Sequence, residues 1–154
     1  MSNELYYEDF AARQQFHSRR SYTVERDNAL AFAKEYDPQS QHLDEEAAKN
    51  SLFGELVISG WQTAAITMRL KLETPLLNVA NGLVGMGLES VRWPRPTMPG
   101  DTLRIVVTIL DKRPSNSKPD KGIVKYKVET FNQRDELAME MITAVIVPRR
   151  VPGV

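Results

Sequence analysis

Ser59-Gly-Trp-Gln-Thr-Ala-Ala-Ile-Thr-Met-Arg-Leu-Lys-Leu72 decides the architecture. Trp61, Ala64, Ala65, Met68 and Leu72 recur at helical spacing and form one apolar face, while Ile66 and Leu70 lie on the other side. A helix apolar nearly all round belongs in an interior. The paired alanines predict a surface thinned so that a sheet wraps closely over it. Ser59 stands where a hydroxyl can cap the first turn, and Arg69 and Lys71 place positive charge at the end that favours it. A buried helix needs a sheet to bury it, and the chain beyond residue 80 reads as strands.

Val84, Met86 and Leu88 alternate, and the phase then shifts to Val91 and Trp93, as a bulge at Glu89-Ser90 would produce. Leu103, Ile105, Val107 and Ile109 alternate cleanly, as do Val124, Tyr126 and Val128; Leu137, Met139, Met141, Val145 and Val147 share a face in the last strand. Arg113 to Gly122 is a polar hairpin loop, and Asn132 to Glu136 a shorter one. A central helix followed by an antiparallel meander makes an α+β domain. Gly82-Leu-Val-Gly85-Met-Gly87 lacks the third glycine of a dinucleotide loop and sits in a strand pattern. Its small residues predict a strand lying close to the helix.

Upstream, Phe16, Ser18, Arg20 and Tyr22 alternate with polar residues as an edge strand, which leaves His17 exposed and without a role. Thr23 is placed to cap a helix whose Ala29, Phe32, Ala33 and Tyr36 face inward. Pro38 disfavours helical backbone at Asp37, so this helix ends there. Asp44-Glu45-Glu46 opens another with an N-cap and an acidic first turn. Asp37 and His42 thus fall on a short loop braced by helices, where a carboxylate and an imidazole can be held at fixed separation for acid–base work. Spacing alone also allows the plainer reading, in which Asp37 caps a turn and His42 is a surface histidine. Ser59, His42 and Asp37 do not make a nucleophile elbow, because Val57 and Trp61 stand where glycines would be needed.

With 20 basic and 20 acidic residues among 154, the chain has no net field to recruit nucleic acid or a membrane surface. The absence of cysteine excludes disulfides, thiolate catalysis and cysteine-ligated metal, and two histidines far apart suggest no metal site. Met1 to Asp9 lacks the pattern of a signal peptide and no segment has the length of a membrane span, so a soluble cytoplasmic protein is expected. Length fits one domain over 1–154, with a polar N-terminal arm over 1–14 and a C-terminal tail over 149–154.

Phe32-Ala33, Asp37, His42-x-Asp44, Ala47-Ala48, Phe53-Gly54 and Val57-x-Ser59-Gly60, with Arg92-Trp93-x-x-Pro96-x-x-Pro99-Gly100-Asp101-Thr102-Leu103 downstream, resemble the MaoC-like dehydratases, the (R)-specific enoyl-CoA hydratases of hotdog fold. The resemblance covers roughly residues 16 to 148. One departure is local: the family carries Asn-Pro between the aspartate and the histidine, whereas here Pro38 has moved forward and Gln39-Ser40-Gln41 fills the gap. The resemblance implies a single hotdog domain, an antiparallel sheet wrapped around the central helix, in a homodimer or larger homo-oligomer. It implies hydration of a coenzyme A enoyl thioester, or the reverse dehydration, without a cofactor. Asp37 and His42 would activate the water, and the helix start at Ser59, Gly60 and Trp61 would bind the substrate and its developing oxyanion. A hotdog thioesterase and a non-catalytic acyl-thioester binding protein are the alternatives; retention of both Asp37 and His42 favours hydration.

Overall fold

Alternating apolar residues across the second half build one curved antiparallel sheet. The computed structural model describes residues 3–152; Met1, Ser2, Gly153 and Val154, the outer ends of the expected arm and tail, lie outside the described residues. The strands are β1 (Gln15–His17), β2 (Tyr22–Thr23), β3 (Val84–Arg92), β4 (Thr102–Pro114), β5 (Lys121–Phe131) and β6 (Leu137–Pro148). Their order is β1-β4-β5-β6-β3, with β2 also on β4. β4, β5 and β6 form the expected meander. β3 does not join it in sequence: the proline-rich segment after it crosses the molecule, so β3 pairs with β6 at the opposite edge from β1. Its register slips between Leu88 and Ser90, at the expected bulge, and again between Gly85 and Leu88.

The helices are α1 (Arg26–Tyr36), α2 (Ser40–Leu43), α3 (Glu45–Lys49) and α4 (Gly60–Lys71). α4 packs Ile66 and Leu70 into a core of Leu103, Ile105, Val107, Val124, Tyr126, Val128 and Met139. This is the hotdog arrangement, but α4 is rotated from its expected setting. Its buried side carries Gln62, Thr63, Ile66, Thr67, Leu70 and Lys71, whereas Trp61 is 60 % exposed, Met68 42 %, and Ala65 is also exposed. The helix is therefore not buried all round. Two of these polar side chains find partners in the core: Thr67 shares a hydrogen bond with Thr130 on β5 at 2.6 Å, and Lys71 donates to the Tyr126 hydroxyl at 3.2 Å. Of the two alanines Ala64 packs against the core and Ala65 faces outward, and a Cβ added to Gly82, Gly85 or Gly87 would meet nothing within 4 Å. The close approach expected of that glycine run is absent among the described residues.

Two further expectations change. Thr23 does not cap α1. It lies in β2 with its hydroxyl against that of Thr102, and the cap position falls to Glu25, which makes no side-chain cap. The expected polar arm is instead folded onto the sheet: Tyr7 and Phe10 join the core, and Leu5 donates its backbone N–H to Asn78. The C-terminal end is tied to it, with Arg150 bidentate to Asp9 at 2.8 and 2.9 Å. Among the described residues no helix is long and apolar enough to cross a membrane.

Candidate functional site

Where α1 stops, Asp37 leaves the helical region, at φ −153° and ψ 68°, and Pro38 follows, consistent with the bar a proline sets on helical backbone before it. The next residues are not the expected loop. Ser40–Leu43 close one helical turn, α2, which carries His42 inward until it is only 7 % exposed. Asp44 then caps α3 as expected, accepting from the N–H groups of Glu46 and Ala47. The inward turn of His42 is fixed from the other side by the strand-like segment before α4. Val57 donates its N–H to the Gln41 carbonyl at 3.3 Å, and its carbonyl accepts from His42 Nδ1 at 2.7 Å. Nδ1 therefore carries a proton, and Nε2 points the other way.

Nε2 lies 3.3 Å from Asp37 Oδ2. The same oxygen accepts from the Ser59 hydroxyl at 2.6 Å, while Oδ1 accepts from Gln39 Nε2 at 2.7 Å. Burial pushes the Asp37 carboxyl up, but the hydrogen bonds from Ser59 and Gln39 and the nearby His42 outweigh it and hold the group below its ordinary value. Ser59 has a second task. Its oxygen accepts from the Trp61 N–H at 3.2 Å and so caps α4. One fully buried hydroxyl joins the carboxylate to the helix start.

The Trp61 N–H is thereby occupied. The N–H of Gly60 makes no hydrogen bond among the described residues and belongs to the first turn of α4, where the backbone donors converge. Trp93 lies directly over this glycine. Its indole N–H donates to the Gly60 carbonyl at 3.0 Å, and a Cβ at position 60 would come within 2.8 Å of the ring. Trp61 packs edge-on against Trp93, centroids 5.4 Å apart, with its own side chain turned outward. The crossing segment is clamped to the site by the Ile58 N–H, which donates to the Thr97 carbonyl at 2.8 Å. Together these elements line a cleft of about 410 Å³ holding Asp37, His42, Gly60 and the two indoles.

Residues 9–132 match the model of the MaoC-like domain. The chain belongs to the MaoC-like domain family. Among solved structures this MaoC-like chain superposes on the MaoC-like dehydratase from Rhodospirillum rubrum with a TM-score of 0.89 at 47 % identity, over 96 % of this chain and 99 % of that one. It is 31 % identical over 142 residues to the Bacillus subtilis protein YdeM, spanning 92 % of this chain and 98 % of the relative. It is also 31 % identical over 70 residues to mesaconyl-CoA hydratase from Cereibacter sphaeroides, a match covering 46 % of this chain and 20 % of that enzyme.

Of the residues singled out from sequence, Asp37, His42, Gly60 and Trp61 line the cleft and Ser59 joins Asp37 to the helix start, while the Trp61 N–H is occupied by the Ser59 hydroxyl. Sequence reasoning missed Gln39, the Val57 carbonyl and Trp93. Gln39 had a local signal, since a side chain two residues after an aspartate can reach back to it. Trp93 stood in the downstream landmark of the resemblance, but its contact with Gly60 spans 33 residues and leaves no local signal.

Proposed function

We propose that this MaoC-like protein hydrates a conjugated enoyl thioester of coenzyme A, or runs the reverse dehydration, with Asp37 and His42 as the acid–base pair. The observation that carries this reading is the His42 Nδ1 hydrogen bond to the Val57 carbonyl. It fixes the ring so that Nε2 faces the ionised Asp37, and a ring nitrogen and a carboxylate oxygen converge where one water can be held by both. As the water oxygen bonds the β-carbon, one of its protons passes to the pair; the pair then returns a proton to the α-carbon. Such acid–base assistance supplies on the order of 10²–10⁴ in rate. The enolate-like charge on the thioester oxygen falls to the Gly60 N–H, with Ser59 holding Asp37 and the helix start in register.

Membership of a family that includes dehydratases and the similarity to mesaconyl-CoA hydratase support a coenzyme A thioester as substrate. The reaction so drawn requires no metal or redox cofactor. We read the protein as a cytoplasmic homodimer, with the free edge of β3 and the exposed Trp61, Met68, Val84, Met86 and Leu88 supplying the shared surface. The test is a panel of enoyl-CoA thioesters followed in one cuvette for loss of enoyl absorbance and for free thiol. Absorbance loss without thiol supports hydration. Thiol release would make the protein a thioesterase, and a folded protein inert towards the whole panel would leave it a binding module. Asp37→Asn and His42→Ala should each remove most turnover, and the double variant should be little worse, since groups acting as a unit are non-additive.

A further inference from the structure

Gln39 and Gln41 belong to the stretch in which this chain departs from the family's Asn-Pro spacing, and both line the Asp37 cleft. Gln39 is the N-cap of α2, yet its side chain makes no cap. It turns back instead, so that Nε2 donates to Asp37 Oδ1 at 2.7 Å. The amide end of a glutamine has two orientations, and the other one would set a carbonyl oxygen against the carboxylate. Gln41 selects between them. Its Nε2 donates to Gln39 Oε1 at 3.1 Å, which leaves the Gln39 amide nitrogen for Asp37. Gln41 is anchored in turn by its own carbonyl, which accepts from the Val57 N–H at 3.3 Å.

Asp37 needs this second donor. Rotation about the last bond of an aspartate side chain is soft. Ser59 alone, donating to Oδ2 at 2.6 Å, would pin one oxygen and leave the plane of the carboxylate free to turn about it. Donors on both oxygens fix that plane, and with it the 3.3 Å approach of Oδ2 to His42 Nε2. The main chain repeats the link, since the Gln39 carbonyl accepts from the His42 N–H at 3.0 Å. Charge offers Asp37 little other support. Arg95 is the one lysine or arginine lining the cleft, and it is paired with Glu136 at 2.9 Å. Burial pushes the Asp37 carboxyl up, and Ser59, Gln39 and His42 together bring it below its ordinary value.

We propose that Gln39, oriented by Gln41, is a positioning residue that fixes the Asp37 carboxylate against His42. The proposal rests on the reading of Asp37 and His42 as the acid–base pair, and it gives neither glutamine a contact with the reacting atoms. The two amides act through Asp37. Their loss should therefore be felt in turnover and in the titration of that carboxylate, and not in substrate affinity. Gln39 is exposed, so exchanging its side chain should leave folding nearly unchanged.

Carboxyl-resolved NMR titration of Asp37 in the full chain, without substrate, compares wild type with Gln39→Leu, Gln39→Glu and Gln41→Leu. Gln39→Leu removes a hydrogen bond to the charged form, so Asp37 should titrate at higher pH. Gln39→Glu keeps the shape but sets a second carboxylate beside the first, and should move the titration higher still. Gln41→Leu should move it in the same direction by a smaller amount, although Gln39 is intact. An Asp37 titration unchanged in either Gln39 variant, or unchanged in Gln41→Leu, would overturn the proposal. Kinetics follow on an enoyl-CoA that the wild type hydrates. Gln39→Leu should lower kcat ~10–100-fold with KM nearly unchanged, the pattern of a misplaced reacting group. The acid limb of its pH–rate profile should rise together with the Asp37 titration. A raised KM at unchanged kcat would make Gln39 a substrate-binding residue and overturn the assignment. The titration involves no turnover, so its failure and that of the hydratase reading are distinguishable.

Discussion

At Asp37 the decisive quantity is which groups stabilise its charged form. Ser59 and Gln39 donate to different oxygens of one carboxylate, so the folded value lies below the unfolded one, ordinarily near 3.9. The stability this contributes is fully present above the unfolded value and is lost as pH falls through the lower folded value. Ser59→Ala removes a lowering hydrogen bond, so Asp37 should titrate closer to the ordinary range, which a carboxyl-resolved NMR titration reads directly. The same change deletes the α4 cap and should cost about 1 kcal/mol at neutral pH. An unchanged Asp37 titration in Ser59→Ala would show that the 2.6 Å contact does not set the carboxylate's charge state. The pairing of His42 with Asp37 was legible in the sequence from their shared short segment. The burial of His42 was not, because it depends on the Val57 carbonyl fifteen residues away.

At the scale of the element, α4 shows what local patterning carries and what it does not. Its start and stop are dictated by neighbours in the chain, as are the end of α1 at Pro38 and the cap at Asp44, and all were legible. Its inward face was not. The threonine and lysine that enter the core do so through Thr130 and Tyr126, partners 63 and 55 residues away, which no helical period encodes. Thr67→Val should strand the buried Thr130 hydroxyl and cost roughly 1–3 kcal/mol, whereas Thr67→Val with Thr130→Val should lie near wild type. Chemical denaturation of the four proteins of that cycle measures the coupling; additive losses would mean the pair is incidental. The start of α4 poses a related question. Glycine at 60 is required by the Trp93 indole, not by the sheet, since an added Cβ would strike the ring. Gly60→Ala should therefore shift Trp93 fluorescence and lower activity, and Trp93→Ala in the same chain should relieve the clash. An unperturbed indole in Gly60→Ala would refute that packing argument.

Across the whole molecule, the alternation in β4, β5 and β6 made the meander and most of the core readable, because a strand buried on one face writes itself as a period of two. The placement of β3 at the far edge was not readable, since pairing order depends on a crossing segment and not on the strand itself. That placement leaves one edge of β3 unpaired beside exposed Val84, Met86 and Leu88. Light scattering at micromolar concentration should give at least a dimer, and Met86→Lys should shift it towards monomer; a wild-type monomer would contradict the shared-surface reading. The central claim is that water held between Asp37 and His42 adds to the β-carbon of a thioester. It is tested most directly by turnover in water carrying heavy oxygen, with the label located by mass spectrometry. Heavy oxygen should appear in the β-hydroxyl of an intact thioester with wild type and be nearly absent with Asp37→Asn. Label in a free carboxylate, or undiminished β-hydroxyl labelling with Asp37→Asn, would contradict it.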